Sequence, residues 1–372
     1  MLSPVKLDIS CTVCRMILNS TNERNDYALF HEDCLSTAKR LQDSSIDLVY
    51  ADPPFCSGRF YTGEGCSFDD NWKDPEEYLD WIQPRLEEFK RILKPTGSVY
   101  IHCDWHVSHY LKVLADSVFG RNRFLNEIIW KRQSSHNDAR QGSCHFGRIH
   151  DTILMYAGSK KYVWNQQYTP YDDVYIERTY KYTESVTERR YALGDLTGPG
   201  GASKGNPVYE FLGVKRFWRY SKTKMLRLLS SGRIAWEEGK IPLLKRYLDE
   251  MSGKPLQDIW TDITLDRRKD QRFPTQKPEA LLERIIRTST SPGQLVYEAF
   301  AGSSTAGVVC FKLSRKWIGS ELSRSACFFS LNRLRALGCD VRFCSEYVPA
   351  FQGKTSTIAS EDRVLECNNA CN

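Results

Sequence analysis

The run Ile46-Asp47-Leu48-Val49-Tyr50-Ala51-Asp52-Pro53-Pro54-Phe55 decides how the chain is read. Its apolar, β-branched and aromatic residues predict a buried strand. The strand delivers a carboxylate, Asp52, to its end, and two prolines then hold the following turns rigid. Phe55 comes next. Together these residues offer a fixed acceptor, backbone carbonyls that are not drawn into a helix, and a flat apolar face, an environment suited to an amino group on a planar ring. By itself Asp-Pro-Pro reads equally well as strand punctuation, because Asp and Pro are common turn residues.

A second stretch removes much of that ambiguity. Leu295-Val296-Tyr297-Glu298-Ala299-Phe300-Ala301-Gly302-Ser303-Ser304-Thr305-Ala306-Gly307 predicts a strand running into a small-residue turn that opens a helix. In open α/β sheets, ligands bind at the carboxyl ends of strands beside such turns. Ala301 to Thr305 would let a ligand approach the backbone. Glu321 ends the next predicted strand, Trp317 to Glu321, where it can accept from two ribose hydroxyls. This pattern favours an adenosine cofactor. With no Walker lysine after the turn and no G-x-G-x-x-G spacing, a nucleoside triphosphate and NAD both fit poorly.

Between and around these anchors, strands and helices alternate. Ala28 to Asp33, Ser98 to Cys103, Asn126 to Arg132 and Thr152 to Ala157 read as strands. Leu35 to Leu41, His106 to Phe119, Glu279 to Thr288, Thr305 to Leu313 and Ser323 to Leu337 read as helices. Asp74-Pro75-Glu76-Glu77 starts a further helix with a capping Asp, Pro at the first position and acids in the first turn. Cys56 to Trp72, rich in Gly, Ser and aromatics, reads as an exposed loop near a ligand. The alternation predicts an α/β fold with a doubly wound, mostly parallel sheet. The expected division is 1–157, the catalytic half; 158–272, an insert with its own structure; 273–348, the cofactor-binding half; and 349–372, a polar, disordered tail.

The 372 residues, 41% hydrophobic and 26% charged, are enough for a full core of ordinary globular composition. No apolar run reaches about 18 residues, so no membrane span is expected. Residues 1–10 lack the pattern of a secretion signal. Thirteen cysteines, scattered and odd in number, read as reduced thiols in the cytoplasm. Cys11-x2-Cys14 and His31-x2-Cys34 have zinc-like spacing, and His102, Cys103, Asp104, His106 and His109 cluster. The first set lacks the tight loop geometry of a four-ligand zinc site and His31 to Cys34 ends a strand of the catalytic half, so zinc is not expected there although the sequence leaves it open; in the second set a strand end followed by a helix start sends the side chains apart, and no metal site is expected.

Charge is uneven. Residues 121–272 hold 28 Lys and Arg against 18 Asp and Glu, so most of the basic excess lies in the middle of a chain whose net charge is +6. Aromatics interleave with cations there, as in Lys215-Arg216-Phe217-Trp218-Arg219-Tyr220. This suggests a polyanion-binding insert in which Lys215, Arg216 and Arg219 are candidate phosphate contacts. The plainer alternative is core aromatics beside solvated cations.

Asp52-Pro53-Pro54-Phe55 resembles the D-P-P-Y/F catalytic motif of S-adenosylmethionine-dependent DNA amino-methyltransferases. Phe300-Ala301-Gly302 is similar to their F-x-G cofactor motif. Catalytic motif first, basic insert next and cofactor motif last is the order of their β class. Thr275-Gln276-Lys277-Pro278 resembles the segment that closes over the methionine end of the cofactor, and Glu32-Asp33-Cys34-Leu35 the segment that places an acid near its adenine. There are three departures: Glu298 stands where the family usually has Asp, Ser304 where it has Gly, and His31-Glu32-Asp33 lacks the Gly common before that Asp.

The resemblance implies a Rossmann-like methyltransferase fold with circularly permuted motif order and a target-recognition insert. It implies that S-adenosylmethionine is held by Asp33, Asp52, Lys277, Phe300, Ala301, Gly302, Ser303, Ser304, Thr305 and Glu321. It further implies methylation of a base flipped from double-stranded DNA, with Asp52, Pro53, Pro54 and Phe55 as catalytic residues. D-P-P favours adenine N6 over cytosine N4. A non-catalytic DNA-binding relative and an RNA or protein methyltransferase are the remaining alternatives. The resemblance leaves open a homodimer and a cognate restriction endonuclease as partners, and places the chain in the prokaryotic cytoplasm or nucleoid.

Overall fold

The computed structural model describes residues 26–63, 66–134, 142, 144–265, 273 and 275–345. The chain begins with strand β1 (Tyr27–His31), helix α1 (Cys34–Arg40), β2 (Ile46–Ala51), β3 (Arg59–Gly63) and β4 (Cys66–Asp70). It continues through α2 (Pro75–Ile92), β5 (Leu93–Cys103), α3 (Ser108–Ala115), β6 (Phe124–Lys131) and β7 (His150–Ala157). Then come β8 (Tyr168–Thr169), α4 (Asp173–Thr179), β9 (Tyr182–Thr183), β10 (Arg190–Asp195), β11 (Val208–Phe211) and β12 (Val214–Phe217). After these follow α5 (Lys222–Ser230), β13 (Ile234–Ala235), β14 (Leu243–Tyr247), β15 (Lys254–Pro255) and β16 (Ile259–Trp260). The last elements are α6 (Glu279–Ser289), β17 (Leu295–Glu298), α7 (Thr305–Lys312), β18 (Lys316–Glu321), α8 (Arg324–Arg335) and β19 (Arg342–Ser345).

Nine strands form one sheet in the order β16-β6-β7-β5-β2-β17-β18-β1-β19. Within it, only β7 runs against its neighbours, β5 and β6. The chain therefore has the mostly parallel α/β sheet that the alternation predicts. Its centre decides the function. β2 and β17, far apart in sequence, are parallel neighbours with Leu48 opposite Val296 and Tyr50 opposite Glu298. Ala299 N donates to Tyr50 O at 3.0 Å, so the two strands release their following turns side by side. β2 and β17 are buried along their full length, as expected for strands covered on both faces. Val49, Ala51, Ile101 and Tyr297 share a core with Tyr78, Ile82, Leu86 and Phe89 of α2.

Helix starts follow local chemistry. Asp74 accepts from Glu77 N ahead of Pro75, and Ser323 caps α8 by accepting from Ala326 N. The exposed loop expected over Cys56 to Trp72 is instead a hairpin, β3 paired with β4. Its last residue, Asp70, is buried and holds the turn at residues 56–58.

Residues 167–256 form a compact unit of their own. It contains an antiparallel sheet, β13-β14-β10-β9, a hairpin of β11 and β12, and a core of Leu196, Phe211, Trp218, Met225 and Ile234. The unit is narrower than the expected 158–272, because main-chain bonds tie both flanks to the large sheet. Val163 N donates to Thr96 O, Ile129 N to Asp258 O, and Leu265 N to Arg132 O. Among the described residues no helix is long and apolar enough to cross a membrane. The expected tail, residues 349–372, and Cys11 and Cys14 lie outside the described residues.

Candidate functional site

At the end of β2, Asp52 Oδ2 accepts from Lys277 Nζ at 2.6 Å. Its other oxygen, Oδ1, is buried and has no hydrogen-bond partner among the described residues. His102 Nδ1 stands 3.9 Å from Oδ1. Phe55 stacks on the His102 ring with centroids 5.8 Å apart and planes 29° apart, and Lys277 Nζ stands 5.3 Å from the Phe55 centroid.

Four groups that the sequence reading did not single out for the site complete this floor. His102, on β5, is fully buried, with Nδ1 3.0 Å from Tyr50 Oη and Nε2 3.3 Å from Asp151 Oδ2. Burial opposes ionisation of Asp151, yet the hydrogen bond from His102 and the charge of Arg132 hold its carboxyl below the ordinary value. Burial, followed by the nearby Asp52 carboxylate, pushes the Tyr50 phenol well above its ordinary value, so Tyr50 keeps its proton. Asp70 is the fourth group: its carboxylate accepts from Cys56 N at 2.8 Å, Ser57 N at 3.0 Å and Ser57 Oγ at 2.5 Å, fixing the turn after Phe55. These ties join residues distant in sequence, so no local pattern marks them.

On the neighbouring turn, the family departures acquire roles. Glu298 lies beneath the start of α7, accepting from Ala306 N and Gly307 N at 3.2 Å and from Trp317 Nε1 at 2.9 Å. Gly307 makes this possible, since a Cβ there would stand 2.8 Å from the Trp317 ring. Ser304 holds φ 51 with its hydroxyl buried and unpartnered among the described residues, a conformation that glycine adopts without strain. Gly302, at φ 50, is tied by Ser330 Oγ to its carbonyl at 2.7 Å and by Glu321 Oε2 to its N–H at 2.7 Å. Arg333 Nη1 reaches Ser303 O and Thr305 Oγ1, both at 3.1 Å. Burial raises the Glu321 carboxyl above its ordinary value, against the N–H groups of Ser323 and Gly302.

Asp33 caps α1, accepting from Leu35 N at 2.7 Å, and pairs with Arg85 Nη2 at 2.6 Å. Arg85 lies 4.0 Å over Trp81, whose ring is 5.9 Å from that of Phe300. Asp33, Asp52, Phe55, Lys277, Gly302 and Glu321 all line one cleft of about 500 Å³, within the ordinary size of a small-molecule site. Every residue expected at the catalytic and cofactor motifs lines it except Ser304, whose side chain is turned into the fold. Its acids, small-residue turn and aromatic walls match the polar and apolar parts of a nucleoside.

The expected phosphate contacts lie in the unit of residues 167–256. Lys215 and Arg216 are exposed on β12, whereas Trp218 is buried in that unit's core. Arg219 donates to Thr197 O at 2.9 Å and stands 3.9 Å from Asp195 Oδ2. His31 meets Ser345 Oγ and Leu322 O, each at 3.1 Å, and Asp104 meets His106. Among the described residues no His, Cys, Asp and Glu group has the arrangement of a metal site.

Burial pushes the Glu298 carboxyl up to about 8, although three N–H donors favour its ionised form. A carboxyl whose folded value exceeds its unfolded value costs stability as pH rises between the two. Wild type should therefore lose stability relative to Glu298→Gln as pH rises from the ordinary carboxylate range to about 8. Urea midpoints of both proteins at the two ends of that window test this. Parallel midpoints would mean that Glu298 is ionised throughout.

A DNA methylase family profile matches residues 46–330 of the chain. The chain is 30% identical over 291 residues to type II methyltransferase M.EcaI of Enterobacter cloacae, covering 76% of this chain and 63% of that relative's length. It is 28% identical over 339 residues to DNA adenine methyltransferase YhdJ of Escherichia coli K12, covering 91% of this chain and 92% of that one. A solved structure from Thermus thermophilus, TTHA0409, described as a DNA modification methylase complexed with S-adenosyl-L-methionine, superposes with TM-score 0.50 at 16% identity. It covers 87% of this chain and 100% of its own, and shows a shared fold.

Proposed function

Because the chain belongs to this DNA methylase family, we propose that it transfers a methyl group from S-adenosylmethionine to the N6 amine of an adenine flipped out of double-stranded DNA. One observation carries the reading. Asp52 Oδ1 is a buried acceptor without a donor among the described residues, standing beside an aromatic ring in the same cleft as an adenosine-compatible turn. A buried acceptor of this kind is costly unless a ligand supplies its hydrogen bond. An exocyclic amine does so.

A duplex hides its base edges, so the target must leave the stack at a cost of a few kcal/mol. Phe55 would stack on the flipped ring. Asp52 Oδ1 and the Pro53 carbonyl would accept the two amine hydrogens, aim the nitrogen lone pair and stabilise the positive charge that nitrogen acquires. Glu321 would accept from the ribose, with Phe300 and the Ala301 to Thr305 turn along the nucleoside and Asp33 towards its adenine. S-adenosylmethionine supplies an electrophilic sulfonium methyl; the chain's contribution is chiefly proximity and orientation. Adenine is preferred to cytosine because the motif is Asp-Pro-Pro, and one relative carries adenine in its name.

Incubating the protein with labelled cofactor and mixed unmethylated DNA and RNA, then separating the nucleosides, tests the reading. N6-methyl-2′-deoxyadenosine from the DNA pool is expected. Label in N4-methylcytosine would move the target, and label in RNA alone would overturn the substrate.

Among the described residues neither the Lys215 nor the Arg216 side chain has a direct hydrogen bond or ion pair, although Arg216 is near enough to Asp195 to favour its ionised form, and this makes them the better phosphate candidates. Removing one cation that pairs with a phosphate should flatten the slope of log affinity against log salt by roughly 0.9. Replacing all three candidates would give up to about 2.7 if each touched phosphate, and about 1.8 if Arg219 stays with Asp195 and Thr197. Salt titrations on one duplex measure it, and identical slopes would move the DNA face elsewhere.

A further inference from the structure

The hairpin of β3 and β4 borders the cleft, yet the reaction set out above gives its side chains no part. It follows the catalytic turn directly and is bolted back onto it. The Asp70 carboxylate at the end of β4 holds Cys56 N, Ser57 N and Ser57 Oγ, and Gly58 N donates to Asp70 O at 3.0 Å. Within β3, Tyr61 Oη stands 3.2 Å from Ser57 Oγ. A hairpin tied in this way holds its side chains at a fixed distance from Phe55.

Side chains alternate between the two faces of a strand. Arg59 pairs across the hairpin with Asp70 and Tyr61 with Phe68, and these residues line the cleft. Phe60 and Asp69, paired on the opposite face, are exposed and do not line it. The face turned to the cleft therefore carries two aromatic rings. Tyr61 and Phe68 stack with centroids 4.8 Å apart and planes 17° apart. Both are only half-buried, and neither belongs to the core that α2 shares with the large sheet, so packing of that core does not account for them.

A planar ring entering the cleft can continue this stack. The methyltransferase reading brings two such rings, the adenine of the cofactor and the target base. The cofactor's turn follows β17, where Phe300 and Trp81 stand 5.9 Å apart, whereas the hairpin grows out of the Asp-Pro-Pro-Phe turn. That continuity assigns the hairpin to the base.

We propose that Tyr61, backed by Phe68, forms the second aromatic wall of the target-base seat, so that the flipped base lies between Tyr61 and Phe55. The inference rests on the methyltransferase reading and adds the group that replaces the stacking a base loses on leaving the duplex. Every base has a π face, so this wall secures the flipped base without choosing it.

Two substitutions and one cross-link test it. Tyr61→Leu removes the ring and keeps apolar bulk, whereas Tyr61→Phe keeps the ring and loses the contact with Ser57. With unmethylated genomic DNA and saturating labelled S-adenosylmethionine, single-turnover methylation by Tyr61→Leu should fall by about 5- to 150-fold, the worth of one base–aromatic stack. Tyr61→Phe should stay near wild type, and cofactor affinity by calorimetry should be unchanged in both. For the cross-link, a duplex carries 5-iodouracil at the position that the wild type methylates, located by sequencing its methylated product. A mismatched base flips at least cost. Irradiation should join it to Tyr61 or Phe68 of the wild-type protein. A folded Tyr61→Leu protein with the wild-type rate overturns the proposal, and so does a Tyr61→Phe rate as low as that of Tyr61→Leu, which would assign the loss to the hydroxyl. Cross-links that map only outside the hairpin overturn it without any variant. A wild type that methylates no nucleic acid overturns the methyltransferase premise itself, which separates the two failures.

Discussion

Asp52→Ala is expected to lower methyl transfer by at least about 100- to 1,000-fold, the loss that follows removal of one preorganised polar group at a reacting centre. DNA binding and the overall fold should persist, because the side chain faces the cleft and not the sheet core. The variant also leaves the Lys277 ammonium without its 2.6 Å partner. Asp52→Asn should retain more activity than Ala. Its amide oxygen can accept from one donor, but it must serve the amine or Lys277 without the negative charge that a developing ammonium needs. Methylation of unmethylated genomic DNA with labelled cofactor measures both variants. Wild-type turnover by Asp52→Ala would remove Asp52 from the reaction altogether.

The second large effect concerns Glu321. Glu321→Ala should weaken S-adenosylmethionine binding by about 1.5 to 3 kcal/mol, the range for hydrogen bonds to a charged group. Glu321 also holds the small-residue turn, accepting from Gly302 N and Ser323 N, each at 2.7 Å. Part of the loss could therefore come through the turn. Glu321→Gln loses the charge and keeps one acceptor oxygen, so it can hold only one of the two turn N–H groups. An intermediate affinity by calorimetry, with a melting temperature near wild type, is the expected pattern. Unchanged affinity in both variants would reduce Glu321 to a tie between β18 and the turn.

Residues whose work is local were legible. Asp74 with Pro75 marks a helix start, Ser323 caps the last helix, and the strand ends at Asp52 and Glu321 were placed within a residue. These features depend on a few neighbouring residues, and the sequence contains all of them. The hairpin over Arg59 to Asp70 was missed because its Gly, Ser and aromatic residues resemble a loop until Asp70 gathers three donors from residues 56 and 57. The bounds of residues 167–256 were missed for a similar reason. Short strands such as Ile259–Trp260 take their identity from the strand they join, not from their own composition.

By itself the sequence determined the chemistry of two strand ends. A β-branched and aromatic run followed by Asp-Pro-Pro-Phe, and another followed by a small-residue turn, must each present polar groups at the rim of a buried sheet, because apolar strand interiors and rigid turns leave them no other place. Only the tertiary structure decided that these rims are one site. Parallel pairing of β2 with β17 is a contact between residues about 250 positions apart, set by how the crossovers pack and not by any local window. Pairing of β5 with β2 on one side and with β7 on the other decided that His102, Asp151 and Tyr50, unremarkable in their own segments, meet beneath Phe55. Hydrogen bonds among buried groups form only after the strands that carry them have been placed.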